Sequence, residues 1–337
     1  MTRSETAPIA PTISKTALVF GISGQDGAYL SQLLLEKGYT VHGTSRDREI
    51  ANLSNLKRLG TLSRVQLHSA APNDFRSVLQ VIRTVRPDEI YNLAAQSSVG
   101  LSFDQPVETI DGIVNGTINI LEAVRMLELP TRIYNASSSE CLGNTLDGPA
   151  DENTPFRPCS PYGVGKAASH WLVANYRAAY NLYACSGILF NHESPLRPAR
   201  FVTQKIIRGA VDVAQGKSTS LVLGNINVAR DWGWAPEYVD AMWRMLQLDA
   251  PDDFIIASGA IHTLEEFVAI AFAVLGLDWT AHVITQPDLL RPLDIHTSIG
   301  SPAKAARLLN WRASTSLEEM IRRLIAAEKQ RRLDEGC

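Results

Sequence analysis

Residues 16–46, TALVFGISGQDGAYLSQLLLEKGYTVHGTSR, leave this chain few folds to choose from. An apolar run, a cluster of three glycines, an amphipathic stretch and a second apolar run read as strand, tight turn, helix and strand. Glycine lets a backbone turn sharply and approach a ligand closely, and the positive N-terminus of the helix that follows suits a pyrophosphate. The spacing is G-x-x-G-x-x-G, not the commoner G-x-G-x-x-G. Because the glycines leave a strand and open a helix, they predict half of a dinucleotide site, with Gly21, Gly24 and Gly27 at the cofactor.

Strands and helices keep alternating through the first half. RVQLHS, EIYNLAA, RIYNASS and ACSGILF are short apolar runs, and Asp74 to Val85, Glu108 to Leu127 and Tyr162 to Tyr180 read as helices. The expected fold class is α/β, a Rossmann-type doubly wound parallel sheet, whose ligands lie beyond the carboxyl ends of the strands. NLAAQSS, NASSSE and LFNHES fall at such ends. After Asn191 the pattern is less regular and should form a smaller substrate-binding domain. With 337 residues and 45% hydrophobic content, two domains are expected. They are 16–190 for the dinucleotide, with the helix near 237–248 packing back on it, and 191–337 mainly for substrate. Residues 1–15 read as a flexible leader.

The charges after the second strand speak to the cofactor. An acidic residue there would bond the ribose hydroxyls of NAD, whereas a cation accommodates the 2′-phosphate of NADP. Arg46 favours NADP; Asp47 next to it keeps NAD open.

Tyr162 and Lys166 lie four residues apart in SPYGVGKAASHW, on one face of a helix. A phenol loses its proton near pH 10, and a neighbouring ammonium is expected to lower that value toward working pH, giving a base that can take the proton of a sugar hydroxyl. At the strand end NASSSE, an extended chain from Ser138 to Glu140 would project both side chains to the same side. Ser138 could then bond a substrate or leaving oxygen, and Glu140 could remove a proton from carbon beside a carbonyl. Ser137 and Ser139 read as local caps of the turn.

A net charge of −3 gives no basic surface for nucleic acid and no polybasic tail for an anionic membrane. The four cysteines lack C-x-x-C spacing and read as reduced thiols, and the seven histidines include no H-x-x-x-H pair, so no metal is expected. No apolar run reaches the length of a membrane span, and the expected location is the cytoplasm.

GISGQDGAYL, YNLAAQSSVGLSF, NASSSECLG, SPYGVGK, GILFNHESP, FVTQKI and RDWGWAPEYVDAMW together resemble the GDP-mannose 4,6-dehydratases of the extended short-chain dehydrogenase/reductase superfamily, over roughly residues 16 to 330. The resemblance implies conversion of GDP-mannose to GDP-4-keto-6-deoxy-mannose through internal hydride transfer. Tyr162 and Lys166 would act at the C4 hydroxyl, Glu140 at the C5 proton, and Ser138 or Glu140 at the departing water. It adds Gln25, Asp26, Leu93, Ala94, Ala95 and His192 to the cofactor set, with His192 a hydrogen-bonded supporting group and not a catalyst. Ser97, Asn191, Lys205, Arg230 and Arg291 form the implied substrate set, and the tryptophans Trp232, Trp234 and Trp243 read as packing.

There are departures. Ser138 stands where threonine is common, and HSAAPND replaces G-D-L-T-D after the third strand, leaving Asp74 as a substitute for the adenine-side aspartate. Leu196 with Arg197 replaces an arginine pair, and SRDREIANLSN a basic loop, so a homodimer stands beside the family's homotetramer. GDP-manno-heptose is an alternative substrate. A nucleotide-sugar 4-epimerase or reductase would share the glycines, Tyr162 and Lys166 but has no use for Glu140. A regulator that keeps the fold without catalysis would not need all four catalytic residues.

Overall fold

The computed structural model describes residues 14–286 and 292–334. Residues 1–13 of the expected leader, Arg291 and Cys337 lie outside the described residues. The first half runs β1 (Thr16–Phe20), α1 (Gln25–Glu36), β2 (Thr40–Ser45), α2 (Ser54–Arg58), β3 (Gln66–Ser69), α3 (Phe75–Val85), β4 (Glu89–Asn92), α4 (Val99–Asp104), α5 (Pro106–Met126), β5 (Arg132–Ser138), α6 (Pro161–Tyr180) and β6 (Ala184–Leu189). The second half runs β7 (Asn191–Glu193), α7 (Val202–Ala214), β8 (Leu221–Leu223), β9 (Ala229–Trp234), α8 (Ala235–Met245), β10 (Phe254–Ile256), β11 (Ile261–Thr263), α9 (Leu264–Ala273), β12 (Val283–Thr285), β13 (Thr297–Ser298), α10 (Ala303–Leu308) and α11 (Leu317–Asp334).

Seven parallel strands form the main sheet in the order β10-β6-β5-β4-β1-β2-β3. Alternate residues of β1 enter opposite cores. Ala17 and Val19 pack with Ala28, Leu34, Val239 and Met242 of α1 and α8, while Leu18 and Phe20 pack with Val78, Ile82, Ile120 and Val173 of α3, α5 and α6. Burial on both faces is why this strand reads as an unbroken apolar run. The strand order reverses between β1 and β4, the point at which a doubly wound sheet opens a crevice.

The parallel sheet does not stop at residue 190. Phe254–Ile256 pairs with Gly187–Leu189 as the far edge strand, and α8 packs against α1. In the second region β9 is central, bonded by β7, β11 and β13, and covered by α7, α9 and α11 over a core that includes Trp232, Trp234 and Phe267. Since β7 follows β6 after the single residue Phe190, the chain passes from one sheet to the other with no linker.

Helix ends follow local chemistry. Asp74 is the N-cap of α3, its carboxylate accepting from the amides of Arg76 and Ser77 at 3.2 Å each, and it is exposed outside the cleft lining. Arg86 ends the same helix in the left-handed conformation, φ 46°. Ser160 caps α6 through the Gly163 amide at 3.0 Å, with Pro161 in the first turn where no amide is needed.

Candidate active site

A cleft of about 640 Å³ opens at the crevice between β1 and β4 and runs to β9. Of the residues expected at the cofactor or in catalysis, Gly21, Gly24, Gln25, Asp26, Gly27, Leu93, Ala95, Ser138, Glu140, Tyr162, Lys166 and His192 all line it. Of the expected substrate set, Ser97, Asn191, Lys205 and Arg230 do so as well. Ala94 does not; it packs against the core of α3 and α5. Arg46 is exposed just past β2, outside the lining.

The glycine turn is a cradle that side chains would fill. Gly21 has φ +83°, and a Cβ there would sit 2.9 Å from the Leu93 and Ala94 backbone; one on Gly27 would lie 2.3 Å from the Gly21 carbonyl oxygen. Both contacts are closer than a Cβ tolerates, so only glycine keeps the turn against β4. Gly24 opens α1 with no side-chain cap, leaving amides at that helix end directed to the cleft. Close backbone, free amides and the positive end of a helix dipole together fit a dinucleotide pyrophosphate. Ala95, across the cleft floor, holds φ 141°, a conformation that favours glycine.

Past β2, Asp47 is turned inward on its own loop, its carboxylate accepting from the Glu49 amide at 2.9 Å, and Arg48 pairs with Glu49 at 2.9 Å. Arg46 makes no ion pair among the described residues.

The expected catalytic group forms differently from the expectation. The strand ends at Ser138, and Ser139–Cys141 is a single 3-10 turn, so the chain is not extended from Ser138 to Glu140. Ser138, not its neighbours, caps that turn, accepting from the Glu140 amide at 3.2 Å. The turn still directs Ser138 and Glu140 to the same cleft. Gly163 makes this possible. A Cβ there would meet the Glu140 carbonyl oxygen at 2.7 Å, so glycine lets the first turn of α6 sit on the 3-10 turn and brings the Tyr162 phenol within hydrogen-bond reach of the Ser138 hydroxyl.

Tyr162 and Lys166 are both 8% exposed. The lysine ammonium donates to the Ala136 carbonyl at 2.7 Å and lies 5.8 Å from the centre of the tyrosine ring. Burial raises the phenol well above its ordinary value, and the hydrogen bond to Ser138 does not offset it. The expected lowering by Lys166 is therefore absent: desolvation disfavours the phenolate, Cys141 and Glu140 add to that, and Arg197 opposes it without prevailing. Burial also pulls the lysine down, to about 8, against the opposing pull of Cys141 and Asp26.

The substrate end holds charge of both signs. Arg230, 7% exposed, donates to the Ala229 carbonyl at 3.0 Å and pairs with Asp294 at 3.2 Å. Arg197 pairs with Glu193 at 3.2 Å and stacks on Phe201 at 4.0 Å. Lys205 is exposed at the rim. Arg197, Glu193 and Asp294 line the cleft without having been expected in it. The first two sit inside NHESPLR, where Glu193 was marked only by adjacency to Asn191 and His192 and Arg197 only as what remains of an arginine pair. Trp232 also lines the cleft while packing against Phe267 with the rings tilted, 5.5 Å between ring centres. Among the described residues there is no cluster of three His, Cys, Asp or Glu that could hold a metal, and no helix is long and apolar enough to cross a membrane.

Comparison with known proteins agrees with this geometry. The sequence pattern of the GDP-mannose 4,6 dehydratase family matches residues 18–324. GDP-mannose 4,6 dehydratase 1 of Arabidopsis thaliana is 43% identical over 321 residues, covering 92% of this chain and 89% of the relative. Among solved structures, UDP-glucose 4-epimerase of Thermus thermophilus in complex with NAD superimposes with a TM-score of 0.82 at 24% identity, over 93% of this chain and 99% of that one. RMD from Pseudomonas aeruginosa complexed with NADPH gives 0.78 at 20% identity, over 94% and 100%. At these identities the two structures establish the shared fold.

Proposed function

This chain belongs to the GDP-mannose 4,6-dehydratase family, and we propose that it converts GDP-mannose to GDP-4-keto-6-deoxy-mannose with NADP as its resident dinucleotide. The observation that carries the reading is one cleft that joins a glycine cradle at the sheet's switch point to Ser138, Glu140, Tyr162 and Lys166. Glu140 decides between this reaction and epimerisation, because only an elimination needs a carboxylate beside the phenol.

The nicotinamide supplies the hydride acceptor and donor and, in its oxidised form, a positive charge in the cleft. Gly21, Gly24 and Gly27 with the first amides of α1 hold the pyrophosphate, and Arg46 holds the 2′-phosphate, the role left to it by Asp47 and Arg48 being engaged within the loop. Tyr162, as the phenolate, takes the proton of the C4 hydroxyl. Burial holds the phenol protonated, so its own proton must first leave to solvent, a step that positive charge around the phenol favours. Lys166, tethered to Ala136, contributes to that charge and stays in place through the cycle. Once C4 is a ketone, Glu140 removes the acidified C5 proton, and Ser138 or Glu140 assists the oxygen leaving C6. Asn191, Lys205 and Arg230, joined by Arg197, face the GDP diphosphate, where arginine forks suit phosphate oxygens.

The enzyme works in the cytoplasm as a homodimer or homotetramer. The exposed Val107, Val164 and Trp171 on α5 and α6 are apolar surface that a second copy would cover. Incubating the protein with GDP-mannose tests substrate and reaction together: a product lighter by one water is expected, and unchanged GDP-mannose or a mass-neutral isomer refutes the assignment.

A further inference from the structure

Four residues at the junction of the two sheets, three of them in the expected cofactor set, bond to one another from one sheet to the other. Gln25 and Asp26 are the first residues of α1, immediately after the glycine turn. His192 and Ser194 lie on and just after β7, which pairs with β9 in the register His192 to Gly233. Asp26 accepts from His192 Nε2 at 3.0 Å, and His192 Nδ1 lies 2.7 Å from the Phe190 carbonyl oxygen. Gln25 Oε1 accepts from the Ser194 hydroxyl at 2.7 Å, and its amide donates to the His192 carbonyl at 3.2 Å and to Asp26 at 3.0 Å. From Ser194 the connection continues into α7, where Gln204 donates to the Ser194 carbonyl at 3.0 Å, one residue from Lys205.

The charge state of the histidine follows from its partners. A backbone carbonyl and a carboxylate only accept, and an imidazole donates from both ring nitrogens only when it is protonated. His192 is therefore a buried cation, 7% exposed, facing the Asp26 carboxylate from α1, with Arg197 on its carbonyl oxygen and the Tyr238 ring of α8 stacked on it at 4.6 Å. Burial opposes both charges, and their mutual attraction outweighs it: Asp26 is held at about 2 and His192 is raised. A pyrophosphate at the N-terminus of α1 adds negative charge beside Asp26, and His192 and Arg197 stand on the other sheet to answer it.

We propose that Gln25, Asp26, His192 and Ser194 couple the two halves of the cleft, with His192 as a positioning residue, so that a dinucleotide on the glycine turn and a GDP-sugar along β9 each tighten the other's binding. Drawing His192 toward α1 fixes β7, and β7 fixes β9, which carries Arg230. This inference rests on the assignment of the cleft to those two ligands.

The experiment is calorimetric titration of GDP into the full-length protein, with and without saturating NADP, for wild type, Asp26→Asn and Ser194→Ala. For wild type, NADP should tighten GDP by about tenfold, a usual size for coupling between sites. Asp26→Asn should bring that factor below about twofold, because the charge that holds His192 against α1 is removed. A purely structural role would lower both affinities and leave their ratio intact. If Asp26→Asn does not fold, Ser194→Ala deletes one hydroxyl and should lower the factor about threefold, the size of one net hydrogen bond. A wild-type factor near one, or an unchanged factor in whichever variant folds, overturns the coupling alone. Failure of GDP or NADP to bind wild type overturns the proposed function and the coupling with it.

Discussion

Replacing Lys166 with methionine should make the ligand-free protein more stable while abolishing turnover. The lysine is almost wholly buried, and burial lowers its pKa from the ordinary 10.5 to about 8. The difference of about 2.5, at about 1.36 kcal/mol per pH unit, means that ionised Lys166 destabilises the folded state by roughly 3 kcal/mol. Methionine has similar length and no charge, but it leaves the Ala136 carbonyl without the ammonium that now donates to it, a loss of about 1.5 kcal/mol. The net expectation is a gain of about 2 kcal/mol at pH 7. The sign with pH is fixed by the folded value lying below the unfolded one: the penalty is full below about pH 8, fades as pH rises toward 10.5, and is gone above it. Urea denaturation of wild type and Lys166→Met without ligands, at pH 7 and at pH 10, checks both. A variant no more stable than wild type at pH 7, or an advantage that persists undiminished at pH 10, would refute burial as the dominant influence on this lysine.

Three further outcomes follow from the cleft. Tyr162→Phe removes only the acid–base hydroxyl and should abolish turnover with NADP affinity within about threefold of wild type, read by kinetics and calorimetry; measurable turnover near the wild-type rate contradicts the role of the phenol. Glu140→Gln keeps the shape but cannot take the C5 proton, so water loss from GDP-mannose, followed by mass spectrometry, should slow by about 10²–10⁴ with substrate affinity little changed. Arg46→Ala removes a cation with no ion pair among the described residues and should weaken NADP about tenfold or more with little change for NAD, since a charge-assisted contact contributes about 1.5–3 kcal/mol. Equal weakening of both dinucleotides would assign Arg46 to the fold, and a wild-type preference for NAD would pass the ribose contact to Asp47.

Much of the architecture was legible because it is local. A strand buried on both faces writes itself as ALVF, and a glycine at φ +83° against a neighbouring backbone tolerates no other residue, so the turn and its sheet could be read together. The seventh strand, Phe254–Ile256, was not legible: three apolar residues far along the chain carry no mark of which sheet they join, and only pairing with β6 decides it. Asp74 shows the same limit from the other side. An aspartate near a strand end could face a ligand or cap a helix, and only the fold shows that its carboxylate accepts from the amides of Arg76 and Ser77.

The spacing of Tyr162 and Lys166 fixed their shared helix face but not the dielectric around them. Four residues of separation promise a cation beside a phenol; the fold delivers that neighbour at 5.8 Å from the ring centre, tethered to Ala136, inside a site dry enough that desolvation dominates both groups. In the Asp26–His192 pair, with His192 buried and Asp26 partly so, the charges persist because each carboxylate oxygen and ring nitrogen has a partner within 3.0 Å. What separates the two pairs is complete hydrogen bonding of both charges against burial without it, and that depends on residues more than a hundred positions apart. A phenol kept neutral by burial needs no counter-charge, whereas a standing phenolate would add a second desolvated charge beside Lys166, whose own ionised form burial already disfavours.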